Sequence, residues 1–318
     1  MSFACSQCAT MTEPAAARDG QDLPLHEPAM VPQVLRLLAP RPGDLVLDLT
    51  VGTAGHALTL GQRAGASGRL IGLDADPAAL DVARRRLQSG CPCPFILLAE
   101  RFSHARQVLD RLGVEAADVA LADLGVGTHQ LARPERGFSF DSTDRLDMRY
   151  DPARGLSAWD VVNGASEAEL ADVFHRLGEE RYSRQIAARI CRERPIDTPA
   201  QLGDLVKSVA ARRTPRRRTW RIHPATRVMM ALRIYVNGEM EELDALLAAL
   251  PGLLKRGGRA AVLTYHSLEA RRVKHAWREQ ERDGLLEVLT PSPLKPEPEE
   301  VRANPRVRSA QLRAGRRL

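Results

Sequence analysis

The stretch LVLDLTVGTAGHALTL, residues 45–60, combines an apolar run with an acid and two glycines. Asp48 ends the apolar run, and Gly52 and Gly55 follow before an apolar pattern of helical spacing resumes. A glycine loop between a strand and a helix lets backbone atoms approach a ligand closely. These residues are therefore the first candidates for a binding site.

Three ligands fit such a loop to different degrees. A mononucleotide phosphate loop needs a lysine after its last glycine, and none follows Gly55. A dinucleotide fold needs G-x-G-x-x-G, whereas Thr53 and Ala54 separate the two glycines here. S-adenosylmethionine has no phosphate, so fewer glycines suffice, and its ammonium group needs a carboxylate such as Asp48. The loop favours S-adenosylmethionine and leaves a dinucleotide open.

A second acid, Asp74, ends the next apolar strand, LIGLD. It follows Gly52 at the spacing at which an acid accepts hydrogen bonds from ribose hydroxyls. Nicotinamide and methionine cofactors share this feature, so Asp74 indicates a nucleoside rather than one particular cofactor. Asp76 stands directly before Pro77 and is better placed to cap the following helix.

The elements that position these residues alternate between strand and helix up to residue 126, which predicts a parallel, doubly wound α/β sheet. Its fourth strand ends at Asp123. Residues 127–218 show helical patterns only, and a long helix at 225–254 then leads to a fifth strand, RAAVLTYHS. We predict a tail (1–23) and one α/β domain (24–126 and 219–318) that a helical insertion (127–218) interrupts. The insertion leaves the sheet at the carboxyl ends of the strands, where such sheets bind ligands.

Composition restricts the class of protein. The 318 residues are 44% hydrophobic, enough for a large core, and no apolar run approaches the roughly 18–20 residues that cross a bilayer. The N-terminus shows no signal-peptide pattern, so we expect a cytoplasmic protein without a membrane partner. The formal charge of +6 is compatible with an anionic partner.

The positive charge is concentrated in ARRTPRRRTWRIHP, which places six arginines and Trp220 between Arg212 and Arg221. We call residues 212–221 the arginine strip. Arginine forks suit phosphate oxygens, and an aromatic ring can stack on a base. A solvated loop is the alternative interpretation.

The five cysteines include a C-x-x-C at Cys5 and Cys8 and a C-x-C at Cys91 and Cys93. An odd number of cysteines in a chain without an export signal does not indicate a disulfide framework. Four thiolates could bind zinc. The first pair lies in the tail and the second in a loop with prolines, so we interpret them as incidental thiols and predict no metal.

Several later blocks closely resemble the bacterial ribosomal RNA small-subunit methyltransferase H family (RsmH or MraW). They include DLGVGTHQLARPERGFSF, LDMRYDPARGLSAWDVVN, GEERYSRQIAARI, IHPATRVMMALRIYVNGEMEEL, GGRAAVLTYHSLEARRVK and NPRVRSAQLR. The resemblance extends in order from about His26 to the C-terminus. It implies a Rossmann-like class I S-adenosylmethionine-dependent methyltransferase domain with a helical insertion. It also implies N4-methylation of a decoding-centre cytosine in 16S rRNA.

The resemblance assigns cofactor-binding positions. The glycine–glycine–histidine of the first loop falls on Ala54, Gly55 and His56, and the ribose acid falls on Asp74. The aromatic residue after the third strand, the acid of the fourth strand and the glutamine of the next loop complete the set. With the residues chosen from the loop itself, the predicted cofactor site is Asp48, Gly52, Ala54, Gly55, His56, Asp74, Phe102, Asp123 and Gln130.

The catalytic predictions concern the rim of the sheet. Many amino-methyltransferases place D/N-P-P-Y/F after the fourth strand, and DLGV stands at that place here. Asp123 is our candidate acceptor for the protons of the target amine, although it could also only contact the cofactor. His266 is a second candidate, and it or Glu269 could hold the base or a phosphate; a structural histidine is the alternative. His26 could cover the cofactor.

The RNA-binding prediction places the RNA backbone against the insertion and the arginine strip. His223 and Arg227 directly follow the strip. The predicted residues are Arg212, Arg213, Arg216, Arg217, Arg218, Trp220, Arg221, His223 and Arg227.

The sequence also departs from the family. The first loop has fewer glycines, and we expect Ala54 to be tolerated because its φ stays negative. Changes at 127–129 and 229–230 lie closer to the expected substrate side. A related methyltransferase with another RNA or small-molecule substrate, and a non-catalytic ribosome assembly factor, are therefore the alternative functions. The oligomeric state, monomer or homodimer, is left open.

Overall fold

The structure is a computed structural model that describes residues 28–131, 133–211 and 223–318. The predicted tail, with Cys5, Cys8 and His26, lies outside these residues. The arginine strip lies outside them as well, so the RNA-binding predictions for its six arginines and Trp220 have no structural outcome. Among the described residues, no helix is both long enough and apolar enough to cross a membrane.

The described chain forms one sheet of seven strands. They are β1 (Leu45–Asp48), β2 (Arg69–Asp74), β3 (Phe95–Ala99), β4 (Ala117–Asp123), β5 (Leu254–Thr264), β6 (Leu286–Val288) and β7 (Gln311–Arg317). Their order is β3-β2-β1-β4-β5-β7-β6. The first five strands in this order pair in parallel, whereas β7 pairs antiparallel with both β5 and β6. The predicted parallel sheet is confirmed.

The helices follow the predicted alternation. In chain order they are α1 (Val31–Leu38), α2 (Gly55–Ala64), α3 (Pro77–Gly90), α4 (Ala105–Arg111), α5 (Thr128–Leu131), α6 (Ala158–Gly164), α7 (Glu167–Arg176), α8 (Ser183–Glu193), α9 (Pro199–Ala211), α10 (Thr226–Asn237), α11 (Glu239–Leu253), α12 (Ser267–Arg282) and α13 (Pro298–Ala303). Short 3-10 helices lie at Phe102–His104, Pro134–Arg136 and Pro305–Ser309.

Two hydrophobic clusters cover the two faces of the sheet. One joins α1, α2 and α3 to the strands, with Leu60 and Leu70 fully buried in it. The other joins α4, α11 and α12 to the opposite face, around Leu247 and Trp277. Each fully buried leucine contributes about 1.5–3 kcal/mol relative to an exposed one. Burial on both faces explains why the parallel strands consist of continuous apolar runs.

The segment between β4 and α11 forms a third cluster, which extends from Phe138 to Leu232. Two of its helices begin at polar caps. Ser157 starts α6 and Ser166 starts α7, each with a reciprocal capping box. The predicted division of the chain into domains stays a proposal. α10 packs in this third cluster, beyond the proposed boundary at residue 219.

The long helix predicted for residues 225–254 is wrong in one respect, because it is two helices. Gly238 has φ 63° and ends α10 in a left-handed conformation, and α11 begins at Glu239. The helical pattern continues across this point, so only the glycine indicates a break. The break lets α10 pack with the insertion while α11 packs on the sheet.

The parallel strands bring the predicted acids together. Asp48, Asp74 and Asp123 are the last residues of the neighbouring strands β1, β2 and β4. The insertion leaves the sheet directly after Asp123. The predicted site therefore lies between the carboxyl edge of the sheet and the inserted helices.

Two alanine substitutions in the same region should have opposite effects on stability. Gly238→Ala should lower the free energy of unfolding by about 1 kcal/mol, because a side chain is disfavoured at φ 63°. Gly252→Ala is the matched control in α11, with nothing within 4 Å of the added Cβ, and should raise it by about 0.5 kcal/mol. Urea unfolding measures both. A change of the same sign in both variants would contradict the left-handed assignment.

Candidate active site

A cavity of about 380 Å³ opens at the carboxyl edge of the sheet. Its walls come from the loop after β1, the ends of β2 and β4, the turn between β5 and α12, and parts of α10 and α11. Doubly wound sheets bind ligands at this edge because their loops converge there. The cavity therefore lies where the strand-end acids were predicted to form a site.

The loop after β1 contains two left-handed residues, Gly52 at φ 51° and Ala54 at φ 64°. The N–H of Gly52 donates to Asp74 Oδ2 at 2.7 Å and so ties the loop to the end of β2. The expectation of a negative φ at Ala54 is wrong. Its left-handed backbone at the start of α2 costs a residue with a side chain about 1–2 kcal/mol. A Cβ on Gly55 would meet the ring of Pro28 at 3.0 Å, so this position has room only for glycine.

Asp74 lines the cavity, and its carboxylate is held by backbone groups. Oδ2 accepts from Gly52, and Oδ1 accepts the N–H of Asp76 at 2.8 Å. Two carboxylate oxygens offer about four acceptor positions, so Asp74 can also accept from ribose hydroxyls. Asp76 caps α3 by accepting the N–H of Ala78 at 3.0 Å, which confirms that prediction.

Asp48 lies beneath the loop rather than on the cavity wall and is only 1% exposed. Oδ1 accepts the N–H of Thr50 at 3.1 Å, while Oδ2 has no hydrogen-bond partner in the described chain. Burial raises the pKa of Asp48 to about 7 against the opposing effect of His56, and the carboxylates of Asp123 and Asp74 add to the increase. A cationic ligand would stabilise such a buried carboxylate. The chemistry of this position therefore fits the ammonium group of S-adenosylmethionine.

Asp123 lines the cavity at the end of β4 and is held from three sides. Its Oδ1 accepts the hydroxyl of Tyr265 at 2.8 Å, and its Oδ2 lies 3.5 Å from His56 Nε2. Its N–H donates to Thr50 Oγ1 at 2.6 Å. The side chain of Asp123 is 17% exposed, so the carboxylate is fixed in orientation and still accessible from the cavity.

Phe102 and Gln130 line the cavity as well. Phe102 lies in the 3-10 helix after β3, where its ring could pack on adenine. Gln130 is buried and uses its polar atoms within the protein: Oε1 accepts the N–H of Gly127 at 3.0 Å, and Nε2 donates to Asp76 Oδ2 at 3.0 Å. Gln130 therefore shapes the loop after β4.

The sequence from residue 24 to residue 318 matches the profile of the MraW methylase family. The chain belongs to this family. Three similar relatives carry the name ribosomal RNA small subunit methyltransferase H. They come from Acidobacterium capsulatum (43% identical, 91% of this chain and 97% of that protein), Koribacter versatilis (44%, 92% and 94%) and Cyanothece sp. (46%, 92% and 95%).

Membership in the MraW methylase family confirms the resemblance and the methyltransferase class of the fold. A methylase transfers a methyl group, so the dinucleotide alternative that the loop left open no longer applies. The family also fits the geometry: of the predicted cofactor residues, Gly52, Gly55, His56, Asp74, Phe102, Asp123 and Gln130 line the cavity, while Ala54 and Asp48 support the loop from beneath.

The turn after β5 carries one predicted catalytic residue and two that line the cavity. His266 does not line the cavity; its Nδ1 accepts the N–H of Glu269 at the start of α12, as a helix cap does. Glu269 does line it, and its Oε2 accepts the N–H of Tyr265 at 2.8 Å. Burial alone would raise the pKa of Glu269, but His266 and Arg233 outweigh burial and hold that pKa below its usual value. The catalytic role of His266 stays a prediction.

Sequence reasoning missed several polar residues on the cavity wall, among them Tyr150, Arg233 and Glu239. Arg233 pairs with Glu239 through Nε–Oε1 and Nη2–Oε2 hydrogen bonds of 2.8 and 2.9 Å. The Tyr150 hydroxyl donates to Glu239 Oε1 at 2.8 Å. The available signal was an arginine between Leu232 and Ile234 on a helix with a buried face, where a charged side chain needs a partner.

Glu239, His266 and Glu269 also bring potential metal-ligand atoms within 4.8 Å of one another. Both carboxylates already have donors, because Arg233 and Tyr150 bond to Glu239 and backbone N–H groups bond to Glu269. The Arg233 guanidinium supplies the positive charge that a metal ion would bring. We therefore propose no metal at this cluster.

The thiols of Cys91 and Cys93 lie 3.3 Å apart in the loop before β3. The other pair considered for zinc, Cys5 and Cys8, is outside the described residues. Burial, with a smaller effect of Cys91, raises the pKa of Cys93 to about 12, so this thiol stays protonated at neutral pH.

Two of the predicted RNA-binding residues lie within the described chain. The ring of His223 stacks on Phe140, with centroids 4.4 Å apart and planes 2° apart, and its Nδ1 accepts the N–H of Ala225. Arg227 is exposed, and its Nη1 donates to the carbonyl of Glu179 at 3.1 Å. His223 therefore packs within the insertion, whereas Arg227 stays accessible to a phosphate.

Asp48→Asn should increase the stability of the protein at alkaline pH and decrease its affinity for the cofactor. Folding favours the neutral form of Asp48, so its stabilising effect is complete below the usual pKa of 3.8 and is lost as the pH rises through about 7. At pH 8 the variant should be more stable than the wild type by roughly 2 kcal/mol, and it should bind S-adenosylmethionine at least tenfold more weakly. Urea unfolding at pH 5 and pH 8 and calorimetric titration measure these effects.

The control is Asp244→Asn, which changes an exposed carboxylate paired with Arg272. It should leave the pH dependence and cofactor affinity unchanged. If Asp48→Asn loses as much stability between pH 5 and pH 8 as the wild type does, the buried carboxylate of Asp48 is not the source of the pH dependence.

Proposed function

We propose that this MraW methylase uses S-adenosylmethionine to methylate N4 of a decoding-centre cytosine in 16S rRNA of the small ribosomal subunit. Relatives at 43–46% identity that carry the name of a small-subunit rRNA methyltransferase support the substrate class. The observation that carries the proposal is the position of Asp123. Its oriented carboxylate lies in the same cavity as the residues suited to a nucleoside cofactor.

The cofactor half of the cavity provides a partner for each part of S-adenosylmethionine. Asp74 would accept from the ribose, Phe102 would pack on the adenine, and the charge of Asp48, which is buried beneath the loop, would stabilise the ammonium group. When bound, S-adenosylmethionine supplies the methyl group. Gly52 and Gly55 line the cavity without side chains of their own.

Asp123 prepares the target amine. Cytosine N4 is a weak nucleophile because its lone pair is delocalised into the ring. A carboxylate that accepts a hydrogen bond from an amino proton increases the electron density on nitrogen and orients its lone pair. Tyr265 and His56 hold Asp123 for this task, and the surplus proton leaves to solvent after methyl transfer.

The target base must leave its stack to reach the cavity, as in other enzymes that act on bases within folded nucleic acid. The insertion borders the cavity, and Arg227 lies exposed on α10, which packs in the same hydrophobic cluster as the insertion. We place the RNA backbone against this surface and the arginine strip. This assignment is based on charge and position.

Two alternative functions keep the same fold. A methyltransferase with another RNA or small-molecule substrate is favoured by the departures at 127–129 and 229–230, and an assembly factor would bind the particle without turnover. Methylation of a different nucleoside supports the first alternative. Binding of small subunits without methyl transfer supports the second.

Asp123→Ala should abolish N4-methylcytidine formation while cofactor affinity changes by less than threefold, because the acceptor is removed and the loop after β1 is kept. The measurement is mass analysis of nucleosides from small subunits of cells lacking the gene, treated with wild-type or variant protein. The control is Asp110→Ala, which removes an exposed carboxylate on α4. Undiminished turnover in Asp123→Ala would remove Asp123 from this role, and a wild type that forms no N4-methylcytidine would refute the proposed function.

Neutralising Arg212, Arg213, Arg216 and Arg217 with glutamine should weaken RNA binding at least tenfold and reduce its dependence on salt, since each phosphate contact releases counterions. Cofactor affinity should stay constant. A quadruple glutamine variant of the exposed Arg41, Arg63, Arg84 and Arg85 removes the same number of charges elsewhere and controls for overall charge. Filter binding between 50 and 200 mM salt measures the effect; equal RNA affinity in both variants would refute the assignment.

A further inference from the structure

The wall of the cavity beyond Asp123 carries a cluster of buried polar side chains that the cofactor half does not use. We call Tyr150, Arg233, Glu239, Tyr265 and Glu269 the inner cluster; all five line the cavity. The charged side chains are deeply buried: Arg233 is 14% exposed, Glu239 10% and Glu269 2%. Burying several charges beside a ligand cavity is costly unless they are paired, and such clusters mark functional sites.

The guanidinium of Arg233 keeps its charge at neutral pH. Burial alone would lower the pKa of Arg233, but the carboxylate of Glu239 outweighs it and raises that pKa above its usual value. Glu239 accepts from Nε and Nη2 of Arg233 and from the Tyr150 hydroxyl, so the guanidinium is fixed in one plane. These two bonds leave Nη1 outside the pair with Glu239, and because Arg233 lines the cavity, Nη1 is the donor that it can offer to a ligand there. Arg233 is therefore a cationic hydrogen-bond donor that is fixed in orientation at the cavity wall.

Two hydrogen bonds connect Asp123 to Glu269 through Tyr265, and the charge of Glu269 acts on Arg233. The Tyr265 hydroxyl donates to Asp123 Oδ1, and the N–H of Tyr265 donates to Glu269 Oε2, each at 2.8 Å. Burial and the charge of Asp123 raise the pKa of Tyr265 well above its usual value, so its hydroxyl stays a donor to Asp123. Glu269 in turn contributes to the field that stabilises Arg233. One wall of the cavity thus presents an anionic acceptor at Asp123 and a cationic donor at Arg233.

This pattern complements the edge of one nucleobase. Cytosine carries a donor amine at C4 and acceptors at N3 and O2, whereas uracil presents a carbonyl at C4 that a carboxylate repels. We propose that Arg233 and Asp123 together read the Watson–Crick edge of the target cytosine. Arg233 donates to N3 or O2, Asp123 accepts from the amine, and Glu239 is the positioning residue for the guanidinium. The assignment rests on the proposed function, because it names the subsite that the target base occupies.

The Arg233–Glu239 pair also joins α10 to α11. The competing interpretation is that this ion pair has a purely structural role. A purely structural ion pair uses only the Nε and Nη2 groups of Arg233 that face Glu239. It has no effect on which base binds. The two interpretations therefore differ in base selectivity, which can be measured without methyl transfer.

The test measures how tightly free cytidine, uridine and isocytidine bind to the full-length protein saturated with S-adenosylhomocysteine. Nuclear magnetic resonance titration gives the three affinities. Isocytidine exchanges the amino and carbonyl groups of cytosine and is a matched probe of orientation. The wild type should bind cytidine at least tenfold more tightly than the other two. Arg233→Lys keeps the charge and removes the planar fork; it should weaken cytidine binding about tenfold and leave S-adenosylmethionine affinity within twofold.

Arg272→Lys, in an exposed pair with Asp244, is the matched control and should bind all ligands as the wild type does. Tyr150→Phe removes one hydroxyl from Glu239 and should weaken cytidine binding about threefold, which keeps the test valid if Arg233→Lys does not fold. Equal binding of the three nucleosides by the wild type would overturn the proposal. So would unchanged cytidine affinity in the variants, or equal losses for cytidine and S-adenosylmethionine.

Failure of this inference can be distinguished from failure of the proposed function. A wild type that forms N4-methylcytidine in small subunits without the nucleoside preference refutes the inner cluster as the reader of the base. A wild type that shows the preference but forms no N4-methylcytidine refutes the proposed function and retains the subsite.

Discussion

The crowding of three carboxylates at one edge of the sheet is the constraint on which the site depends. Asp48, Asp74 and Asp123 end neighbouring parallel strands, and like charges so close together disfavour one another's ionisation. The surrounding structure supplies donors to offset this: backbone N–H groups bind Asp74, and the hydroxyl of Tyr265 binds Asp123. Asp48 has the fewest donors. The site is therefore electrostatically incomplete in a way that favours a cationic ligand.

The second constraint is the attachment of the insertion, which depends on buried polar contacts rather than on an apolar interface alone. Asn237 accepts the N–H of Tyr150 and donates to the carbonyl of Met148, and Arg101 donates to the carbonyl of Asn237. The glycine that follows Asn237 turns the chain back toward the sheet. The end of α10 thus fixes the insertion relative to the strand ends, and the cavity owes its shape to this junction.

The parts of the fold that could be predicted from the sequence are those that local sequence patterns determine. Alternating apolar runs and helical spacing located the sheet, and strand-end acids located the cavity. Tyr265 was missed because its partner Asp123 lies 142 positions away in the sequence. Arg233 has its partner Glu239 only six positions away, but the two residues lie on different helices whose packing no local pattern specifies. His266 was chosen because it follows the fifth strand at the rim of the sheet, but this position equally permits the helix cap that the structure shows. The φ of Ala54 depends on the tertiary path of the loop, which no local pattern specifies.

The left-handed conformation of Ala54 has a consequence for how quickly the site can exchange its ligand. A glycine at this position would sample many backbone states, and binding would have to remove that freedom. The buried methyl group of Ala54 confines the loop to few states before any ligand arrives, so the strain is present in the free and bound forms alike. Most of the ordering is thus complete before the encounter, and dissociation gains little entropy from loosening the loop.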